Sequence, residues 1–457
     1  MTKDLLFALI AIALVVTLCA FPLIKNGYLG SADSMHTLMA RILVQNGTQD
    51  TYAPYSNVSF TYPSQFYYAM IVPLLKLSPL PDYLTLAIIG VILVGIEFYL
   101  FYLITFMMFK NKRIALFALI LLACSKFIYQ DFYFGLFPRL AATCLLFLIF
   151  ASYLTNSKCK WVLIFGLTIP MMFIHPAYSL LCLAFFIFYV LFYGKKEYFA
   201  LFFLVLVGLM CALFSNETAL FSKYPIGLNG SFDGIIPSLM GMGIVVLFFF
   251  VWAAIAGALT YRLTHFFFAT CLGLFALSFL THFSLNVALS FLTLTAIWFI
   301  CEMWKHSCLT LGWLCLILLV GLSFNFLVGG YLPAIADGTK ISNEGGQFAK
   351  AFYQFDPLPK KVLFLTLEGT KIAELSNKVP LDVSTGWFVP KGSLVKDNRD
   401  ITKRQDEQQQ IINSKVWLDD NFYNGRFDYV VIDATKYELP ERISPFSFKQ
   451  YKVFWGD

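Results

Sequence analysis

The stretch YLTLAIIGVILVGIEFYLFYLITFMMF at residues 83–109, followed at once by Lys110-Asn111-Lys112-Arg113, decides the class of this protein. Its only ionisable acid is Glu97, and its length exceeds the ~20 residues that a helix needs to cross the hydrocarbon core of a bilayer. A basic cluster directly behind such a run marks the side of the membrane on which the chain emerges. Apolar runs of this kind recur along the sequence, which is 59% hydrophobic and 13% charged. That composition excludes a soluble globular chain and places the protein in the polytopic membrane class.

Eleven spans are expected, at roughly 4–24, 83–109, 114–130, 139–156, 161–174, 177–194, 198–214, 234–260, 264–281, 284–303 and 308–329. The basic loops Lys110–Arg113, Lys158-Cys159-Lys160, Gly194-Lys195-Lys196, Tyr261-Arg262 and Trp304-Lys305 alternate with loops poor in Lys and Arg. This alternation predicts a cytoplasmic N-terminus and an extracytoplasmic C-terminus. Lys3 ahead of the run Leu5 to Leu23 has the look of a signal peptide, but the length of the run and the lack of an Ala-x-Ala site favour an uncleaved first helix. Residues 66–77 are apolar yet only half a span long and contain Pro73 and Lys76, so they read as an interfacial helix within a first outer loop of about 25–82. The sequons beginning at Asn46, Asn57, Asn216 and Asn229 all fall in loops that charge alone assigns to the outside.

After Phe326 the pattern becomes that of a soluble domain. Lys361 to Leu365 and Asp428 to Ile432 read as strands, Thr370 to Val379 as a helix and Lys403 to Phe422 as an amphipathic helix. The expected organisation is a membrane domain over 1–330 and a small extracytoplasmic α/β domain over 331–457. The net charge of +6 sits in the membrane part, with 16 Lys and Arg against 10 Asp and Glu over 1–330 and 17 against 17 thereafter. The basic excess therefore reports topology, and no nucleic-acid partner is implied. The ten cysteines lie in or beside apolar spans, so neither a disulfide framework nor a Cys-type zinc site is encoded.

Candidate chemistry follows from elimination. Residues 1–330 carry ten acids, of which Asp4, Glu197 and Glu302 fall on the cytoplasmic side. Glu97 lies in mid-span, where a charge is expensive, so it is protonated or paired within the bundle and is a functional candidate by default. Asp33 precedes a helical stretch, Ser34 to Gln45; it is either a simple N-cap or a functional acid sharing a face with His36 and followed by Arg41. Asp131, at the outer end of the third span, is the second outer acid, with a surface pair to Lys126 as its plainer role. Arg139 and His175 fall at outer span ends, where an arginine often snorkels and a His-Pro often ends a helix.

The run Asp33-Ser34-Met35-His36 through Arg41 to Asn46-Gly47, then Tyr62-Pro63-Ser64-Gln65-Phe66-Tyr67-Tyr68 and the surface helix, resembles the GT-C superfamily of membrane glycosyltransferases. Within it the likeness is to the protein O-mannosyltransferase and aminoarabinose-transferase branch, continuing through Lys110–Ala115 and His175-Pro176. A single Asp stands where the family has Asp-Glu, and the Trp-Trp-Asp motif of the oligosaccharyltransferase branch is missing.

The resemblance implies transfer of a sugar from a polyprenyl-phosphate donor to a glycan, lipid or protein acceptor outside the membrane, with inversion. It makes Asp33 the general base, with Asp131 a second catalytic acid, and Arg139 and His175, with His36 and Arg41, the substrate-binding groups. A divalent metal between Asp33 and Asp131 is an optional cofactor, as in some relatives. The rival expectation is a non-catalytic scaffold of the same fold or a transporter; a transporter calls for polar or broken helices at mid-membrane and an internal repeat, whereas the polar residues here gather at outer span ends.

Overall fold

A computed structural model of the protein describes residues 3–26, 50–52, 59–61, 65–123, 132, 137–155, 159–174, 178, 182, 290, 294, 341–358, 360–366, 368–382, 414–419 and 427–456. Two compact units divide the chain, one of Met1–Phe21, Gly90–Phe132 and Phe137–Ile335, the other of Pro22–Ile89, Tyr133–Leu136 and Ala336–Asp457.

The membrane helices follow the apolar runs closely. They are α1 (Lys3–Asn26), α2 (Gln65–Leu77), α3 (Asp82–Phe109), α4 (Lys112–Ala123), α5 (Phe137–Leu154) and α6 (Lys160–Ile174). Among the described residues α3 and α5 are long and apolar enough to span a bilayer, and Leu6–Phe21 and Lys160–Met171 are shorter apolar helices. The remaining predicted spans, from 177 onward, lie essentially outside the described residues. On α3 the side chains Ile88, Ile92, Ile96 and Tyr99 are exposed while Leu86, Val94, Phe98 and Phe101 are buried. An apolar stripe on the outer face as well as the inner one is the pattern of a helix whose solvent is lipid.

Helix ends show why the chain turns where it does. Lys110, with φ 52°, ends α3 in the left-handed conformation. The Asn111 side chain then caps α4 by accepting from the Arg113 amide at 2.9 Å. The basic loop is thus a two-residue hairpin. Helix α2 has 13 residues, about 20 Å of helix, too short to cross a bilayer. It buries Tyr67, Ile71 and Leu75 on one face and exposes Met70, Leu74 and Leu77 on the other. A strand pair, β1 (Asp50–Tyr52) with β2 (Ser59–Thr61), precedes it.

The C-terminal region is an α/β sandwich of α7 (Asn343–Phe355), β3 (Lys361–Leu365), α8 (Gly369–Leu375), β4 (Val379–Asp382), β5 (Tyr429–Asp433), β6 (Phe446–Phe448) and β7 (Tyr451–Trp455). The sheet order is β4-β3-β5-β7-β6, with β4, β3 and β5 parallel and β7 antiparallel to both β5 and β6. Alternation sorts the strand residues between two cores. Phe348 and Phe352 of α7 join Val362, Phe364, Tyr429, Val431 and Val453 on one face. Trp417 and Phe427 join Leu363, Leu365, Val430, Ile432 and Phe454 on the other.

Two expectations need correction here. The predicted helix Thr370–Val379 ends at Leu375, because Asn377 is left-handed with φ 56° and the Lys378 amide bonds back to the Ala373 carbonyl at 2.8 Å. This is a helix stop of the Schellman kind, and Val379 already belongs to β4. Of the predicted helix Lys403–Phe422, Ser414 is helical, but the helix does not continue to Phe422, because Lys415 is left-handed with φ 50° and Val416–Leu418 form a 3-10 turn.

One buried cation closes this domain. Lys378, wholly buried, donates its Nζ to the Asp356 carbonyl and, at 2.7 Å, to the Leu358 carbonyl, just past the C-terminus of α7. It lies 3.9 Å from the Asp356 carboxylate and 5.1 Å from the centre of the Phe352 ring. The same carboxylate accepts from the Leu358 amide at 2.9 Å and the Tyr429 hydroxyl at 2.8 Å. Partial burial pushes the Asp356 carboxyl up, but the Leu358 amide, the Tyr429 hydroxyl, Lys378 and Lys360 together hold it below its ordinary value.

Lys378→Ala is expected to destabilise the domain by about 3 kcal/mol, because carbonyls and a carboxylate are left without their cation. Amide hydrogen exchange in β3 and β5 of the full-length protein reads this. The depressed Asp356 makes a contribution that is complete above the unfolded carboxyl value of about 4 and is lost as pH falls toward the lower folded one. Protection of β5 should therefore fall with acidification in wild type, with that component missing in Asp356→Asn.

Candidate functional site

Of the predicted site residues, Arg139 is the one the structure describes. Asp33, His36, Arg41, Asp131 and His175 lie outside the described residues. Arg139 sits in the first turn of α5, directly after Pro138. Proline suits that position because its missing N–H belongs to the first turn, which has no intrahelical acceptor, and its φ is already helical. The Arg139 side chain is half-buried, with its Nε buried.

The turn that carries Arg139 is fixed from two directions. The Phe137 ring is wholly buried and tilts against Phe132 with centroids 6.2 Å apart. It lies over Gly90 of α3 so closely that a Cβ there would overlap its Cε1 and come within 2.8 Å of its Cδ1. From the other direction, the Thr143 hydroxyl lies 3.0 Å from the Arg139 carbonyl oxygen and 3.2 Å from the hydroxyl of Tyr178. Further along, the Cys144 thiol donates to the Leu93 carbonyl at 3.4 Å and Phe147 meets Phe101 at 6.2 Å, so α5 is seated on α3 over several turns.

Glu97 is wholly buried on α3, within electrostatic range of the Cys19 thiol of α1 and the Cys144 thiol of α5. Its place is the interior of the helix bundle, as expected of an acid in mid-span. Among the described residues no three His, Cys, Asp or Glu side chains gather into a metal site. The pair Asp33 and Asp131, the optional metal ligands, is outside that set.

Chemically, a guanidinium in the first turn of a helix combines a fixed positive charge with the positive end of the helix dipole. Such a place suits a phosphate or another anion. The C-terminal domain contains a second anion position of this kind, and the chain fills it itself. Glu368 accepts from the Ser342 amide at 2.9 Å and the Ser342 hydroxyl at 2.6 Å at the start of α7. Sequence reasoning located Arg139 from its place at a span end but passed over Thr143 and Tyr178. The available signal was their spacing, four residues after Arg139 and three after His175.

The fold defined by these elements is that of a polytopic helical membrane protein with a C-terminal sheet domain, and it is also seen in solved structures. ArnT from Cupriavidus metallidurans bound to undecaprenyl phosphate superposes with a TM-score of 0.60 at 10% identity, over 98% of this chain and 97% of that one. The apo form of the same ArnT gives 0.58 at 11% identity over 100% and 99%. The Archaeoglobus fulgidus oligosaccharyltransferase with zinc and sulfate gives 0.48 at 12% identity over 93% of this chain and 68% of that one, a likeness too loose to define the fold. No family model and no curated protein matches the sequence. The fold expected from the apolar runs, a helical membrane domain followed by a sheet domain, is thus shared with ArnT.

The seating of α5 gives a direct test. Gly90→Ala is expected to lower thermal stability by about 1–3 kcal/mol, since the Phe137 ring must leave its position. Gly166→Ala, with nothing within 4 Å of the added Cβ, serves as the control and should match or exceed wild type. Thermal unfolding of the three proteins in one detergent gives the order, and a Gly90→Ala midpoint equal to wild type would show that the ring moves aside freely.

Proposed function

We propose that this protein transfers a sugar from a polyprenyl-phosphate donor to an acceptor at the extracytoplasmic face of the membrane. The observation that carries this reading is the end-to-end likeness in fold to ArnT, seen with undecaprenyl phosphate bound, together with a fixed Arg139 in the first turn of α5. In this reading the chain has eleven spans, a cytoplasmic N-terminus, a membrane domain to about residue 330 and an outer domain over 331–457. The alternating basic loops support that topology.

The proposed reaction is a displacement. An acceptor hydroxyl oxygen attacks the anomeric carbon, the bond from that carbon to the phosphate oxygen breaks, and the acceptor proton passes to the Asp33 carboxylate. The leaving polyprenyl phosphate gains negative charge at the membrane surface, where little water is present to stabilise it. Arg139 supplies a bidentate donor for that charge, with His175 as its partner. His36 and Arg41, on the helical stretch that follows Asp33, are assigned to the sugar and its phosphate. Asp131 is the second acid of the site, and with Asp33 it would supply the oxygen ligands if a divalent ion were bound.

Asp33→Asn separates the capping role from the catalytic one, since Asn caps a helix about as well as Asp but takes up no proton. Turnover of a polyprenyl-phosphate sugar by the purified protein should fall by about 10²–10⁴ at unchanged thermal stability. Retained turnover in Asp33→Asn with loss in Asp131→Asn would move the base to Asp131, and retained turnover in both would rule out the carboxylate mechanism. Arg139→Ala is expected to weaken binding of undecaprenyl phosphate more than Arg139→Lys does, because lysine keeps the charge but lacks the planar fork.

A further inference from the structure

The Thr143 hydroxyl stands between two acceptors, the Arg139 carbonyl oxygen at 3.0 Å and the Tyr178 phenol oxygen at 3.2 Å. A hydroxyl has one proton to give. A threonine within a helix commonly spends that proton on the carbonyl four residues back, which here is Arg139. Thr143 Oγ1 is also the donor to the Tyr178 phenol oxygen, so its one proton is shared between the two acceptors and links Tyr178 to the backbone of Arg139.

Tyr178 is wholly buried and is among the largest side chains so enclosed. A phenol in an apolar interior needs a partner for its hydroxyl, and it meets Thr143 across 35 residues of sequence. It does so one helical turn past the residue that carries the candidate phosphate donor. The other side of that turn is held by the Phe137 ring over Gly90. In sequence Tyr178 follows His175-Pro176 by three and two positions.

We infer that Tyr178 is a positioning residue: through Thr143 it sets the first turn of α5 so that Arg139 is presented in one fixed orientation to an anionic lipid phosphate. This rests on the phosphate role of Arg139 proposed above. A donor fixed before the ligand arrives loses less conformational freedom on binding, and the gain appears in affinity. Tyr178 itself does not touch the phosphate in this scheme.

The experiment measures binding of undecaprenyl phosphate to the purified full-length protein in detergent, with thermal stability followed in parallel. Tyr178→Phe keeps the ring and removes the hydroxyl. It should weaken binding about three- to tenfold, the worth of one neutral hydrogen bond. Thr143→Val should match it, while Thr143→Ser, which restores a hydroxyl, should bind as wild type does. The pair Tyr178→Phe with Arg139→Ala should bind no more weakly than Arg139→Ala alone, as expected of residues acting through one interaction.

Additive losses in the double variant, or wild-type affinity in Tyr178→Phe while Arg139→Ala is impaired, would overturn the positioning role and leave the phosphate role of Arg139 standing. Wild-type affinity in Arg139→Ala would overturn both together. Equal losses in Thr143→Ser and Thr143→Val would mean that packing at this position matters and the hydroxyl link does not.

Discussion

The close approach of the Phe137 ring to Gly90 is the contact that seats the first turn of α5, and with it Arg139, against α3. With no side chain at that position, α3 lets the start of α5 lie against its backbone, and the pair continues through Cys144 to Leu93 and Phe147 to Phe101. Hydrocarbon solvent gives helices little hydrophobic reason to associate, so close packing and interhelical hydrogen bonds take over that role. A small residue facing a large aromatic meets the first need, and the thiol and hydroxyl bonds meet the second. Arg139 inherits its position from both.

The C-terminal domain obeys the rules of water instead. Its sheet buries alternate residues against two separate cores, and the wholly buried Lys378 closes the far end of α7 by engaging the Asp356 and Leu358 carbonyls. The opposite end of α7 is closed by Glu368 on Ser342, over Gly345, where a Cβ would meet that carboxylate. Both helix ends are thus satisfied by charged side chains from the β3–α8–β4 segment. That explains why a short helix rich in glycine at its start holds its place: tertiary partners supply what local propensity does not.

The sequence was most legible where lipid imposes the pattern. The runs 4–24, 83–109, 139–156 and 161–174 correspond to Lys3–Asn26, Asp82–Phe109, Phe137–Leu154 and Lys160–Ile174, because long uninterrupted apolar runs have few other uses. Strands Lys361–Leu365 and Tyr429–Asp433 were also legible as short, β-rich apolar runs. Helix Asn343–Phe355 was not, since Gly345 and Gly346 read as a breaker until Ser342 and Glu368 are seen to cap it. The hairpin of β6 and β7 was hidden as well, for its turn is Lys449-Gln450 with a left-handed lysine in place of Asn-Gly. At the candidate site the cation at a span end was readable. Its support by Thr143 and Tyr178 was not, because 35 residues of sequence separate partners that only the fold brings together.

In the proposed reaction a glycosidic bond to a lipid phosphate is broken and a new one is made. Purified protein in vesicles, supplied with a polyprenyl-phosphate sugar labelled in both the sugar and the lipid, tests it by product balance. Free polyprenyl phosphate should appear in the outer leaflet one for one with sugar joined to an acceptor. Movement of the intact donor between leaflets with the sugar still attached, or binding with no bond broken at all, would contradict it.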